Sequence, residues 1–337
     1  MRVVALVESV DHVCCRYRVA AYRTALAAHG HTLDIRPLPR TTFGRLGIGL
    51  NLNADAVILQ RRLLPPWTVN LLRRRTPKLI FDFDDAIWLR DSYSPHGLQD
   101  PKRELRFHTT VAACDLVIAG NEYLAAEARK FTFPDRVIVI PTCVDTEKYP
   151  VKVHEQRDHL RLVWVGSRST LRGLEQITPI LSAIGRRVPG VHLKIICDQF
   201  LRIPDLPIDE CVWQQSTEAA EIAAADIGIG WVPSDAWSAG KCGLKIAQYQ
   251  AAGLPVIANP VGVQKELVRD SETGILATTP EEWVAAVAKL AGDVELRQRL
   301  GTAARRQAVE RYSVSAGSRA WFAALHRLGN EPVRKSG

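Results

Sequence analysis

Short runs of consecutive Val, Ile and Leu alternate along this chain with longer segments whose apolar residues recur every three or four positions. A strand buried on both faces gives the first pattern and an amphipathic helix gives the second, so the alternation predicts βαβ units and parallel sheets. Strands are expected at 2–7, 32–36, 56–60, 78–83, 116–119 and 137–140, with helical segments such as 16–29 and 122–130 between them. Gly30 follows the first helix as a stop signal. Residues 141–161 are polar and aperiodic and contain Pro141 and Pro150, which reads as a linker. A second series then begins: strand 162–165, helix 170–187, strand 192–197, helix 217–225, strand 227–231, helix 243–252, strand 255–258, and helices from 281 onward. Two Rossmann-like α/β domains facing each other across a cleft are therefore expected, 1–150 and 151–313, with a terminal helix at 314–337. Ligands of such sheets bind beyond the carboxyl ends of the strands.

The 337 residues, 47% hydrophobic and 24% charged, suit a globular protein and exclude disordered, collagenous and coiled-coil classes. The longest uncharged stretch, 246–264, holds two prolines, an asparagine and three glutamines, which excludes a bilayer span. The apolar run at the N-terminus ends at Glu8, too short for a signal-peptide core, so a cytoplasmic protein is expected. Seven cysteines without a Cys-x-x-Cys pair point to reduced thiols. The net charge of +8 comes from 33 Arg and 11 Lys against 36 acidic residues, and it favours anionic partners without choosing among phosphate, nucleic acid and lipid.

The chemistry concentrates in SAGKCGLKIAQYQAAGLPVIANPVGVQKELV, residues 238–268. It reads as a glycine-rich turn, a helix starting near Gly243, and a Gly-Leu-Pro turn into a strand. Free amides and the positive dipole end of such a helix suit a phosphate. Lys241 and Lys245, four residues apart, can both face that site, and Gln248 lies near the same helical face. Two lysines that merely solvate a helix end are the bland alternative, but the glycines, turn and paired strand together favour phosphate.

This stretch resembles the donor-binding segment of GT-B glycosyltransferases of the retaining family-4 (group 1) type. VIVIPTCVDTEKYP (137–150) is similar to the strand and Pro-x-x-Val-Asp turn that close the family's first domain. SETGILATTPEEW (271–283) resembles the region after the donor helix, and RYSVSAGSRAWFAALHRL resembles a terminal helix that crosses back to the first domain. The resemblance covers nearly all of the second half and scattered parts of the first. It implies a nucleotide-sugar donor as co-substrate, a hydroxyl acceptor (a saccharide or lipid-linked saccharide), retention of configuration, and no metal. The family carries two glutamates eight positions apart, and Gly240 and Gln248 stand at those positions. Gln248 can still bond a ribose. At Gly240 the sugar contact passes to Ser238 or to the backbone of 239–241. After Gly166 the family's diphosphate-binding Arg and Lys are replaced by Arg168 and Arg172, at a different spacing.

In the first half, LIFDFDDAIW sets Asp82, Asp84 and Asp85 at a strand end. Carboxylates so close need a partner. Asp84 is the candidate for contact with sugar or acceptor hydroxyl. The structural alternative is an Arg partner for Asp82 and capping by Asp85. The loop 9–15 corresponds to a family segment near the diphosphate and, with the residues just after it, offers His12, Arg16 and Arg18. Residues 61–78 combine six basic residues with Trp67 and four leucines, as a helix on an anionic membrane surface would, or a solvated helix with a core-facing stripe. No base-stacking platform supports nucleic acid as a partner. The expected activity is transfer of a sugar to a hydroxyl in polysaccharide or glycoconjugate synthesis, with Lys245, Arg168 and Asp84 as catalytic candidates. A nucleotide-sugar epimerase and a non-catalytic scaffold of a polysaccharide-assembly complex are the alternatives.

Overall fold

The computed structural model describes residues 1–330 apart from Arg40, Gly49 and Asn51. Six parallel strands form the first sheet: β1 (Arg2–Val7), β2 (Thr32–Pro37), β3 (Ala56–Gln60), β4 (Leu79–Phe83), β5 (Leu116–Ala119) and β6 (Val137–Val139), in the order β2-β1-β3-β4-β5-β6. A second parallel sheet comprises β7 (Leu160–Val165), β8 (Val191–Cys197), β9 (Ile208–Val212), β10 (Ile227–Gly230), β11 (Val256–Ala258) and β12 (Gly274–Leu276), ordered β12-β11-β10-β7-β8-β9. Backbone contacts divide the chain into two compact units. Unit 1 is Met1–Cys143, Asp235–Cys242 and the segment from Val314; unit 2 is Val144–Ser234 and Gly243–Ser313.

Alternation along each strand builds the cores. In unit 1, Val4, Leu6, Val57, Leu59, Phe81 and Phe83 bury one face of the sheet. Val3, Ala5, Ile58, Ile80 and Ile118 bury the other, against the terminal helix Val314–Asn330 through Trp321, Leu325 and Leu328. Neighbouring side chains on a strand point to opposite faces, and helices cover both, so the strands read as unbroken apolar runs. Unit 2 buries Leu162, Trp164, Leu193, Ile195, Ile227 and Ile229 in the same way.

The expected helix 16–29 is three pieces, Val13–Arg18, a 3₁₀ turn Ala20–Tyr22 and Arg23–Ala28, because Val19 leaves helical geometry. The expected helix 170–187 is Arg168–Gln176 followed by Thr178–Arg187, with Pro179 opening the second. Strands β9 and β12 have no counterpart in the sequence reading.

Residues 141–161, expected as a linker, are packed. Val144 bridges to Ser313, and Lys152 forms a buried ion pair with Asp226 at 2.9 Å. His154 is buried and bonded through Nε2 to the Gly253 carbonyl at 3.1 Å, while its Nδ1 has no partner among the described residues. The segment lacks periodicity because its polar side chains tie loops together and line no core face.

Burial, reinforced by the nearby Lys152 and Arg297 charges, pushes the His154 imidazole below its usual value of 6.5. The unfolded chain then binds a proton that the folded chain refuses, so stability falls as pH drops from about 6.5 toward the lowered folded value. Thermal melts of the protein between pH 7.5 and 5.5 are expected to show a falling Tm, with the slope diminished in His154→Gln.

Candidate active site

In unit 2 the strand order reverses at β7, which has β8 on one side and β10 on the other. Ligands of parallel sheets bind at the carboxyl side of such a switch point. Gly166 follows β7 there, its amide bonded to the Ile196 carbonyl at 3.0 Å. The helix Arg168–Gln176 begins next, capped reciprocally by Ser167 and Thr170. Arg168 and Arg172, one turn apart on it, are exposed, and the Arg168 amide donates to Asp198 at 3.1 Å.

Gly243 caps the helix Leu244–Ala251 in a left-handed conformation, φ 65°, that favours glycine. Lys245 therefore stands in the first turn. Its Nζ lies 3.8 Å from the centre of the buried Trp164 ring and 3.4 Å from Thr170 Oγ1. A half-buried ammonium thus stands over an indole, next to two helix starts. Gln248, expected at the ribose, is only 2% exposed and donates through Nε2 to the Tyr149 hydroxyl at 3.1 Å.

Ser238, Gly240 and Lys241 belong to unit 1, so the two lysines read together from the sequence fall in different units. Ser238 is buried, with Oγ 3.1 Å from Ser92 Oγ. Asn121 donates from one amide nitrogen to the Gly240 and Lys241 carbonyls at 3.2 and 3.1 Å. A Cβ at Gly240 would sit 2.7 Å from both the Ala86 nitrogen and its Cβ. No side chain fits there. The Lys241 ammonium lies 4.0 Å from Asp85.

Unit 1 has its own switch point, where β1 lies between β2 and β3, and its acidic cluster sits at the carboxyl end of β4, the strand beyond β3. Asp82 is fully buried against Arg18, with contacts of 2.6 to 3.1 Å. Arg18 also donates to the Ile140 carbonyl at 3.0 Å and Thr142 Oγ1 at 3.3 Å. Burial opposes the Arg18 charge, but Asp82 outweighs it and keeps the guanidinium protonated. Asp82 thus presents no oxygen to a ligand and serves the fold. Arg61, in left-handed backbone at φ 59°, bonds Asp84 at 2.9 Å and Asp85 at 2.5 Å, and both carboxylates stay partly exposed. Burial pushes the Asp84 carboxyl up, yet the Arg61 and Arg18 charges prevail and hold it below the ordinary range. Burial also raises the Cys14 and Cys242 thiols beside it, which stay protonated.

His12 caps its helix, with Nδ1 accepting from the Cys14 amide at 3.2 Å, and Arg16 donates to the Tyr17 hydroxyl at 3.3 Å. In the basic segment 61–78, Leu64, Val69 and Leu72 face the core, Arg73 turns to Thr76 and Asp115, and Arg75 to the Leu46 and Ile48 carbonyls. Trp67 is 42% exposed. Among the described residues no group of three His, Cys, Asp or Glu could hold a metal, and no helix is long and apolar enough to cross a membrane. The sequence reading did not single out Arg61, Trp164, Thr170 or Asn121. Arg18 was noted only as one basic residue of the first loop.

Two six-stranded parallel sheets with flanking helices, each with a polar switch point, place the chain in the class of two-domain GT-B proteins. Residues 146–293 match the family model described as Glycosyl transferases group 1, so the chain carries that domain. Among solved structures it is similar to Anabaena HepE in complex with UDP and glucose, at 15% identity over 97% of this chain and 100% of that one, with a TM-score of 0.69. It is also similar to sucrose-phosphate synthase from Thermosynechococcus elongatus, at 14% identity, 97% and 99% coverage and a TM-score of 0.75. A glycosyltransferase from Rickettsia africae aligns at 12% identity over 98% of this chain and 99% of that one, with a TM-score of 0.71. A search of the curated proteins finds no match.

Proposed function

We propose that the chain transfers a hexose from a UDP-sugar to a hydroxyl of a saccharide or lipid-linked saccharide, with retention, during assembly of a cell-surface polysaccharide or glycoconjugate. The observation that carries this reading is Lys245, held over Trp164 beside Thr170 at the carboxyl end of β7. The base is proposed from HepE, whose structures contain UDP and glucose or UDP-glucose. In this reading the diphosphate is bound by Lys245, Arg168, Arg172 and the amides of the helices that start after Gly166 and Gly243. Charge builds on the β-phosphate as the sugar departs, and fixed cations and amides stabilise it. The leaving phosphate itself accepts the acceptor proton. In unit 1, Asp84 and Asp85 each give one oxygen to Arg61, and Asp84 is the candidate partner for an acceptor hydroxyl.

We further propose that no metal is required: the acidic cluster is already neutralised by Arg18, Arg61 and Lys241. The seven unpaired cysteines suit a reducing, cytoplasmic compartment. Peripheral contact with an anionic membrane would fall to Trp67 and Arg74. Gly240 favours a second reading, a scaffold that binds the nucleotide sugar without transferring it. Calorimetric titration with UDP, GDP, ADP and TDP, with and without magnesium, tests the proposal. UDP is expected to bind without metal and to lose about tenfold or more in affinity in Lys245→Ala. Binding by none of the four would overturn the proposal, and metal-dependent binding would overturn its metal-independent form. UDP binding with no turnover of any UDP-sugar would favour the scaffold.

A further inference from the structure

Unit 2 has a second cationic concavity, away from the residues assigned to the nucleotide. It is a cavity of about 260 Å³ lined by Arg269, Arg299 and Arg306 together with Ser271, Thr273 and Ala303. Arg269 and the residues to Thr273 immediately precede β12, so this wall lies at the amino end of the sheet, opposite the carboxyl ends where Gly166 and Lys245 stand. Arg299, Ala303 and Arg306 are spaced four and three residues apart on the helix Val294–Arg311 and share one face. The small Ala303 leaves space between the two arginines.

Charge accounting makes this an anion site. Arg269 is paired with Glu272 at 3.2 Å and bonded to Gln307 at 2.5 Å. Among the described residues, neither Arg299 nor Arg306 has an ion-pair or hydrogen-bond partner. The cavity therefore keeps a charge of about +2 after Glu272 is counted, which matches a phosphomonoester of about −1.5 to −2 at neutral pH better than a single carboxylate. Guanidinium forks suit tetrahedral oxyanions, each offering two parallel donors. Its volume falls below the roughly 300–1,000 Å³ of drug-sized ligand sites, so it suits a phosphoryl group with a short substituent and not a whole nucleotide sugar.

We propose that this cavity binds a terminal phosphate group, carried either by a soluble phosphomonoester or by a phosphomonoester lipid headgroup. The site does not depend on the nucleotide assignment, and its occupancy is read separately from UDP binding.

The test uses the full chain. Glycerol 3-phosphate is titrated calorimetrically, and sedimentation is measured with vesicles of phosphatidylcholine containing phosphatidic acid against vesicles of phosphatidylcholine alone. Arg299→Ala and Arg306→Ala each are expected to weaken binding about tenfold or more, and the pair to abolish it, with UDP affinity and thermal melting unchanged. Both side chains are exposed, so neither variant endangers the fold. Saturable glycerol 3-phosphate binding lost in these variants supports a soluble ligand. Binding to phosphatidic acid vesicles that the variants lose, with glycerol 3-phosphate too weak to compete, supports the headgroup. Absence of both, or binding that survives the double variant, overturns the proposal even if UDP binds normally.

Discussion

Lys245→Ala is expected to lower sugar transfer by about 10²–10³-fold, the cost of removing one preorganised group that stabilises charge in a transition state. The ammonium is fixed before any ligand arrives, over Trp164 and within 3.4 Å of Thr170 Oγ1, so little reorganisation is needed when negative charge develops on the leaving phosphate. Most of the loss should fall on kcat, because the charge grows as the bond breaks. Lys245→Arg keeps the charge but not the compact point donor, and should fall between wild type and alanine. The measurement is UDP release from a UDP-hexose in the presence of a saccharide acceptor, with circular dichroism to show that the fold is kept.

The largest stability effect is expected at Arg18. Arg18→Met leaves Asp82 buried without its partner, and breaking a buried ion pair in this way costs about 3–5 kcal/mol. The guanidinium also holds the Ile140 carbonyl and Thr142, so the helix Val13–Arg18, β4 and the chain leaving β6 loosen together. In the variant the isolated Asp82 carboxyl rises far above its unfolded value of about 3.9. Its penalty is complete above that raised pKa and disappears as the pH falls toward the unfolded value, so the deficit against wild type should shrink on acidification. Denaturant unfolding of both proteins at pH 7 and pH 5 measures this. Arg18→Met/Asp82→Leu should recover much of the loss, since replacing both partners leaves no buried charge.

The sequence carried most of the fold because both sheets are buried on both faces. Runs such as Val3–Val7 and Val57–Leu59 are apolar without interruption and locate their strands almost to the residue. Strand β9 escaped because IDECV is a half-exposed edge bearing two carboxylates, and β12 because three residues carry no period. The geometry of the candidate site was legible where it is local in the chain, as in the glycine turn and first-turn lysine at 243–245. It was not legible where partners are far apart. Arg18 reaches Asp82 across 64 positions and Arg61 reaches Asp84 across 23, and nothing in an isolated arginine marks its partner. The need for partners was readable from three neighbouring aspartates, but their identity was not. The absence of a side chain at Gly240 was plain, whereas its cause, the backbone of Ala86 at 2.7 Å, appears only in the fold.

The central claim, that the carboxyl end of β7 is a nucleotide diphosphate site organised by Lys245, is tested most directly by a crystal structure of the chain with UDP. The account predicts the diphosphate within hydrogen-bond distance of Lys245 Nζ and of the amides that follow Gly166 or Gly243. A diphosphate bound only elsewhere, for instance among Arg269, Arg299 and Arg306, with the surroundings of Lys245 unoccupied, would contradict it.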